Sequence, residues 1–67
     1  MKLQINGEIK TYNPPLTLAG LISDMGLKSD RVAVELNSTI VSRDLWLETN
    51  LNDGDRLEIV HFVGGGV

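Results

Sequence analysis

The run over residues 56–63 constrains the fold of this chain more than any other stretch, because it is apolar on both alternating faces. Leu57, Ile59 and His61 fall on one side, Val60 and Phe62 on the other. Such β-branched and aromatic character reads as a strand, and apolar side chains on both faces suit a central position in a sheet. The run stops at Gly64-Gly65-Gly66, followed by Val67. Neither helix nor strand gains from three consecutive glycines, since each raises the entropy of the unfolded chain and contributes nothing to packing. They offer instead a thread without Cβ atoms that can enter a narrow channel and present a carboxylate to another protein's active site. The alternative is a frayed terminus with no role.

Size and composition narrow the classes. Sixty-seven residues make one domain, too small for an internal substrate cavity. Hydrophobic residues at 42% indicate a folded globule rather than a disordered tail. The absence of cysteine rules out a disulfide framework and a thiolate ligand, and the single His61 builds no metal site alone, so no metal and no bound cofactor are expected. A net charge of −3 argues against nucleic acid and favours a basic protein partner. Lys2 to Ile5 already alternates polar with apolar, so no signal peptide is expected there, and no apolar span suits a membrane helix. The expected location is the cytoplasm.

Local patterns give the order of elements. Leu3 and Ile5 alternate with Lys2 and Gln4, and Asn6-Gly7 is a strong signal for a type I′ hairpin turn. A return strand over 8–12 is expected to put Ile9 and Thr11 on the core face, and Asn13-Pro14-Pro15 ends it. Thr17 caps a helix in which Leu18, Leu21, Ile22 and Met25 share a face; Gly26 and Leu27 form its C-terminal Schellman motif. Val32, Val34 and Leu36 then mark a strand, and Ile40-Val41 a short one. Ser42 is expected to cap a turn through Trp46, whose indole plugs one end of the core and needs a partner for its N–H. A small extra strand near Leu51 and a tight turn at Asp53-Gly54 precede the last strand. The simplest sheet places that last strand parallel to and beside the first. The resulting α+β architecture is a β-grasp, a mixed sheet of four to five strands with one helix on one face. Residues 1–63 are expected to form its domain and 64–67 a flexible glycine tail.

Catalysis by the chain alone is not expected. No nucleophile, His and carboxylate set is present, and the acidic residues scatter over turns and strand exteriors as surface charges. The glycines are not expected to form a phosphate loop, which needs a helix N-terminus after it. A glycine carboxylate becomes reactive only when an ATP-dependent partner converts it to an acyl-adenylate. Sulfide or a persulfide then gives a thiocarboxylate, and an amine gives a conjugate.

The segment Val60-His61-Phe62-Val63-Gly64-Gly65-Gly66 resembles the C-terminal signature of the ThiS-type sulfur carriers of thiamin biosynthesis. Two further stretches resemble the same family: Val34-Glu35-Leu36-Asn37 with Ile40-Val41-Ser42-Arg43 and Trp46, and Asn52-Asp53-Gly54-Asp55. The resemblance implies an E1-like adenylyltransferase that uses ATP, a sulfur relay from a cysteine desulfurase, and thiazole synthase as acceptor. Carried over by position, Gly65 and Gly66 match the functional diglycine, with the thiocarboxylate on Gly66. Val60, Phe62, Val63, Gly64 and Arg43 would serve partner binding. Val67 departs from the pattern, which ends at glycine: either a protease removes it, or the chain is inactive as translated, or the residue is foreign to the natural sequence. A molybdopterin-synthase-type small subunit, a ubiquitin-like protein modifier and a plain β-grasp interaction module are the alternatives.

Overall fold

The computed structural model describes residues 1–62; Val63 and the expected glycine tail, 64–67, lie outside the described residues. Five strands form one sheet: β1 (Lys2–Ile5), β2 (Glu8–Thr11), β3 (Val32–Leu36), β4 (Thr39–Ile40) and β5 (Arg56–His61), in the order β2-β1-β5-β3-β4. Helix α1 (Leu18–Asp24) packs on one face, and short 3-10 turns, Ser29–Arg31 and Arg43–Glu48, flank β3 and β4. The last strand is central, parallel to β1 and antiparallel to β3, as its two apolar faces predict. The fold is the β-grasp.

Local chemistry explains each element. Asn6 and Gly7 adopt φ of 50° and 84°, the left-handed pair that a two-residue hairpin requires. Thr17 caps α1 by accepting the Gly20 amide at 3.0 Å. A Cβ on Gly20 would lie 3.2 Å from Leu16 and 3.3 Å from the capping hydroxyl, so the cap is tightest with glycine there. At the other end, Gly26 N–H donates to Ser23 and Leu27 N–H to Ile22, the paired bonds of a Schellman motif.

The core joins Leu3 and Ile5 of β1, Leu18, Leu21 and Ile22 of α1, Val32 and Val34 of β3, and Leu57 of β5, closed by Trp46 and Leu51. Trp46 is buried, and its Nε1–H donates to the Val41 carbonyl at 3.0 Å. Leu36 and Ile59 are only half-buried at the margin of this cluster. Leu51 enters the core without forming a strand: the expected strand there is reduced to one isolated bridge between Thr17 and Asn50.

The facing of β2 also differs from expectation. Ile9 opposes Gln4 and therefore points away from the helix, while Lys10 opposes the core residue Leu3. All of β2 is exposed, so no burial selects a face for its side chains. The turn decides instead, because a two-residue loop places Glu8 opposite Ile5 and fixes every later pair.

Side-chain amides complete the hydrogen bonding of β5 where its neighbours turn away. Beyond the bond from Asn6 N–H to the Leu57 carbonyl, β1 ends. The Asn6 side chain then takes its place, Oδ1 accepting from Ile59 N–H at 2.7 Å and Nδ2 donating to the Ile59 carbonyl at 3.2 Å. Asn37, also left-handed at φ 50°, does the same on the β3 side. Its N–H donates to the Arg56 carbonyl, its Oδ1 accepts from Arg56 N–H at 3.0 Å, and its Nδ2 donates to Asp55.

Two stability outcomes follow from these contacts. Leu21→Ala, which empties a fully buried site, should cost about 2–5 kcal/mol in chemical denaturation, and Ile59→Ala less. Asn6→Ala loses two hydrogen bonds and holds an alanine at positive φ, costing about 2–4 kcal/mol, whereas Asn6→Gly relieves the second penalty. Equal losses for Ala and Gly would show that the backbone conformation at Asn6 carries no strain.

Candidate functional site

The sheet has one face against α1 and, among the described residues, one without any helix. Alternation along β5 puts Arg56, Glu58 and Val60 on the open face, and the register across the sheet names their neighbours. Val60 lies opposite Ala33, Glu58 opposite Glu35, and Glu35 opposite Ile40 on the other side. Val60 is 59% and Phe62 54% exposed, which are high values for apolar side chains on or beside a central strand. Phe62 N–H donates to the Arg31 carbonyl at 2.8 Å, so the backbone stays tied to the start of β3 at the last described residue. The chain then runs on covalently into Val63, Gly64, Gly65, Gly66 and Val67, which lie outside the described residues. An exposed apolar end of the sheet thus adjoins the segment expected to carry the chemistry.

Arg43 stands apart from the strands, in the 3-10 turn Arg43–Glu48, with its guanidinium donating to the Ser29 carbonyl at 3.3 Å. Ser29 opens the turn that leads to Arg31, so this contact ties the Arg43 turn to the backbone that holds Phe62. Ser42 precedes the turn but does not cap it: its hydroxyl donates to the Asp44 carboxylate instead of accepting a backbone N–H. That bond, then the backbone amide and the nearby Arg43 charge, hold the Asp44 carboxyl below its ordinary value.

Residue patterns alone did not bring out Ile9, Ile40 and the Glu35–Glu58 pair as members of the open face. The available signal was the hairpin register: once Asn6-Gly7 sets Ile5 opposite Glu8, Ile9 must share a face with Gln4. His61 opposes Val32 and so projects to the helix side of the sheet, away from Val60. Among the described residues, no three His, Asp or Glu side chains gather in a way that could hold a metal ion. No helix among them is long and apolar enough to cross a membrane. The arrangement can present a surface and a strand end to another protein.

Residues 3–66 match the model of the ThiS family. The chain belongs to the ThiS family. The match runs through all three glycines and leaves Val67 outside. A sulfur carrier protein ThiS from Bacillus subtilis is 40% identical over 65 residues, covering 96% of this chain and 98% of that protein. A thiazole synthase from Paramagnetospirillum magneticum is 46% identical over 66 residues, and this chain spans only 20% of its length. The crystal structure of the thiamine biosynthesis protein ThiS from Geobacter metallireducens superposes with a TM-score of 0.84 at 33% identity, covering 98% of this chain and 100% of that one. Both of these whole-length matches, from Bacillus subtilis and Geobacter metallireducens, carry the ThiS name, one as a sulfur carrier protein and one as a thiamine biosynthesis protein.

The open face makes a direct prediction about stability. Val60→Thr and Phe62→Ala should each change the free energy of unfolding by less than about 1 kcal/mol, because neither side chain is packed in the core. A larger loss at either position, read by urea denaturation, would mean that the side chain supports the fold.

Proposed function

We propose that this chain carries sulfur as a thiocarboxylate on Gly66 and delivers it to thiazole synthase. The observation that carries the reading is the ThiS match extending to Gly66, a short way along the chain from the exposed apolar strand end at Val60 and Phe62. In the reaction, the Gly66 carboxylate attacks the α-phosphorus of ATP in an E1-like adenylyltransferase, forming an acyl-adenylate and releasing pyrophosphate. Sulfide attack on the acyl carbon forms the C–S bond and expels AMP. A desulfurase-derived persulfide reaches the same product through an acyl disulfide that a thiol then cleaves. Glycine suits both attacks, since a side chain at Gly65 or Gly66 would crowd the reacting carbonyl.

Sulfur delivery to thiazole synthase is supported by relatives in which a segment like this chain forms one fifth of a thiazole synthase. The division of labour within the proposal follows from the fold. The open face near Val60 and Phe62 supplies affinity, and the glycines supply access. Each residue of a threaded tail loses about 1–2 kcal/mol of backbone entropy on ordering, so the docked face must offset that loss.

The proposal requires Gly66 to become the terminal residue, because Val67 follows it in the sequence. The chain ending at Gly66 should release pyrophosphate readily with the adenylyltransferase of the same host, and the chain ending at Val67 poorly. Equal rates with Val67 retained would contradict the assignment of Gly66. Within the shortened chain, Gly66→Ala should lower turnover far more than binding, whereas Phe62→Ala should weaken binding by about tenfold, as loss of an aromatic anchor does. Isopeptide-linked products in place of a thiocarboxylate would identify a protein modifier, and sulfur transfer to a molybdopterin precursor would redirect the acceptor.

A further inference from the structure

The middle of the open face holds two facing carboxylates, neither engaged in an ion pair among the described residues. Glu35 of β3 and Glu58 of β5 are direct cross-strand partners, an arrangement in which like charges repel. Both line a shallow hollow of about 310 Å³, together with Gln4, Ser38 and Arg56. Arg56 precedes Glu58 by two residues on the same strand, yet it makes no ion pair with either glutamate; the one ion pair among the described residues is Lys10–Glu8, at the far hairpin. Apolar side chains stand around the hollow: Ile40 beside Glu35, Val60 beyond Glu58 toward the tail, and Ile9 across Gln4, each at least 59% exposed.

Among the described residues no ion pair engages either glutamate, and the pair sits at the centre of a face whose apolar rim would exclude water once covered. Facing carboxylates at strand spacing suit a planar guanidinium, which can donate to both at once, better than a compact ammonium. The net charge of −3 points to a basic partner surface as well. We propose that the Glu35–Glu58 hollow is the seat of an arginine side chain from the activating adenylyltransferase, and that it selects the register in which Phe62 and the tail are presented. The proposal rests on the functional reading above and adds the polar element that an apolar patch alone lacks. A greasy end can slide over a partner, whereas a charge in a hollow fixes position and rejects partners without the matching cation.

The test uses the chain ending at Gly66 and the adenylyltransferase from the same host, with affinity measured by titration calorimetry at low and at raised salt. The double variant Glu35→Gln, Glu58→Gln should bind at least about tenfold more weakly and lose most of the salt dependence seen for the native pair. Its thermal unfolding midpoint should be unchanged or higher, because the substitution removes a repulsion. Binding within about twofold of the unsubstituted chain overturns the proposal. A midpoint that falls along with affinity also overturns it, since the glutamates would then support the fold. If the unsubstituted chain is neither bound nor adenylated, the functional reading fails and takes the seat with it. If it is adenylated and the Gln variant binds equally well, the seat alone fails.

Discussion

Everything in this small sheet depends on β5 being bonded along both of its edges. On one side it runs parallel to β1, on the other antiparallel to β3, and where each neighbour turns away an asparagine side chain supplies the missing amide. The parallel pairing of β5 with β1 brings Leu57 beside Ile5 and gathers both with Leu3 in the core beneath one helix. Without Asn6 at the hairpin, the backbone of Ile59 would lose the amide that completes its bonding on that side. The positive φ of Asn6 and Asn37 is thus part of the same device: the turn that ends a strand also aims the side chain that continues it.

That construction separates two tasks across a single strand. Leu57 faces α1 and is essentially inaccessible, so the strand is anchored where stability is needed. Glu58, Val60 and Phe62 leave the core free and build an outward surface on the same rigid backbone. The proposed docking on successive enzymes would benefit from this division, because substitutions on the open face can alter recognition with little effect on folding. The same rigidity sets where residue 63 begins and therefore where a threaded tail would enter a partner.

Much of the architecture was legible in the residues. Asn6-Gly7 marked the hairpin, Thr17 with Leu18, Leu21 and Ile22 marked the helix, and the doubly apolar run over 56–63 marked the central strand. The facing of Ile9 was not, because an edge strand exposed on both sides carries no burial pattern to read; only the register imposed by the turn settles it. Leu51 looked like a strand residue because it is apolar beside turn residues, yet it reaches the core from a loop. Ser42 carried the usual signature of a cap, but the carboxylate of Asp44 two residues on captured its hydroxyl. For the site, Val60 and Phe62 were visible as apolar residues on the alternate face. The opposed glutamates were not, since Glu35 and Glu58 are distant in sequence and only the β3–β5 register joins them.

The central claim is that the terminal carboxyl group at Gly66 holds the sulfur. Intact mass spectrometry of the protein purified from its own host, grown without thiamin so that demand for sulfur transfer is high, tests this most directly. The account predicts a species lacking Val67 in which one oxygen of the terminal carboxylate is replaced by sulfur, and its loss when the adenylyltransferase is deleted. A population that retains Val67 and carries only oxygen, in cells that still make thiamin through this chain, would contradict it.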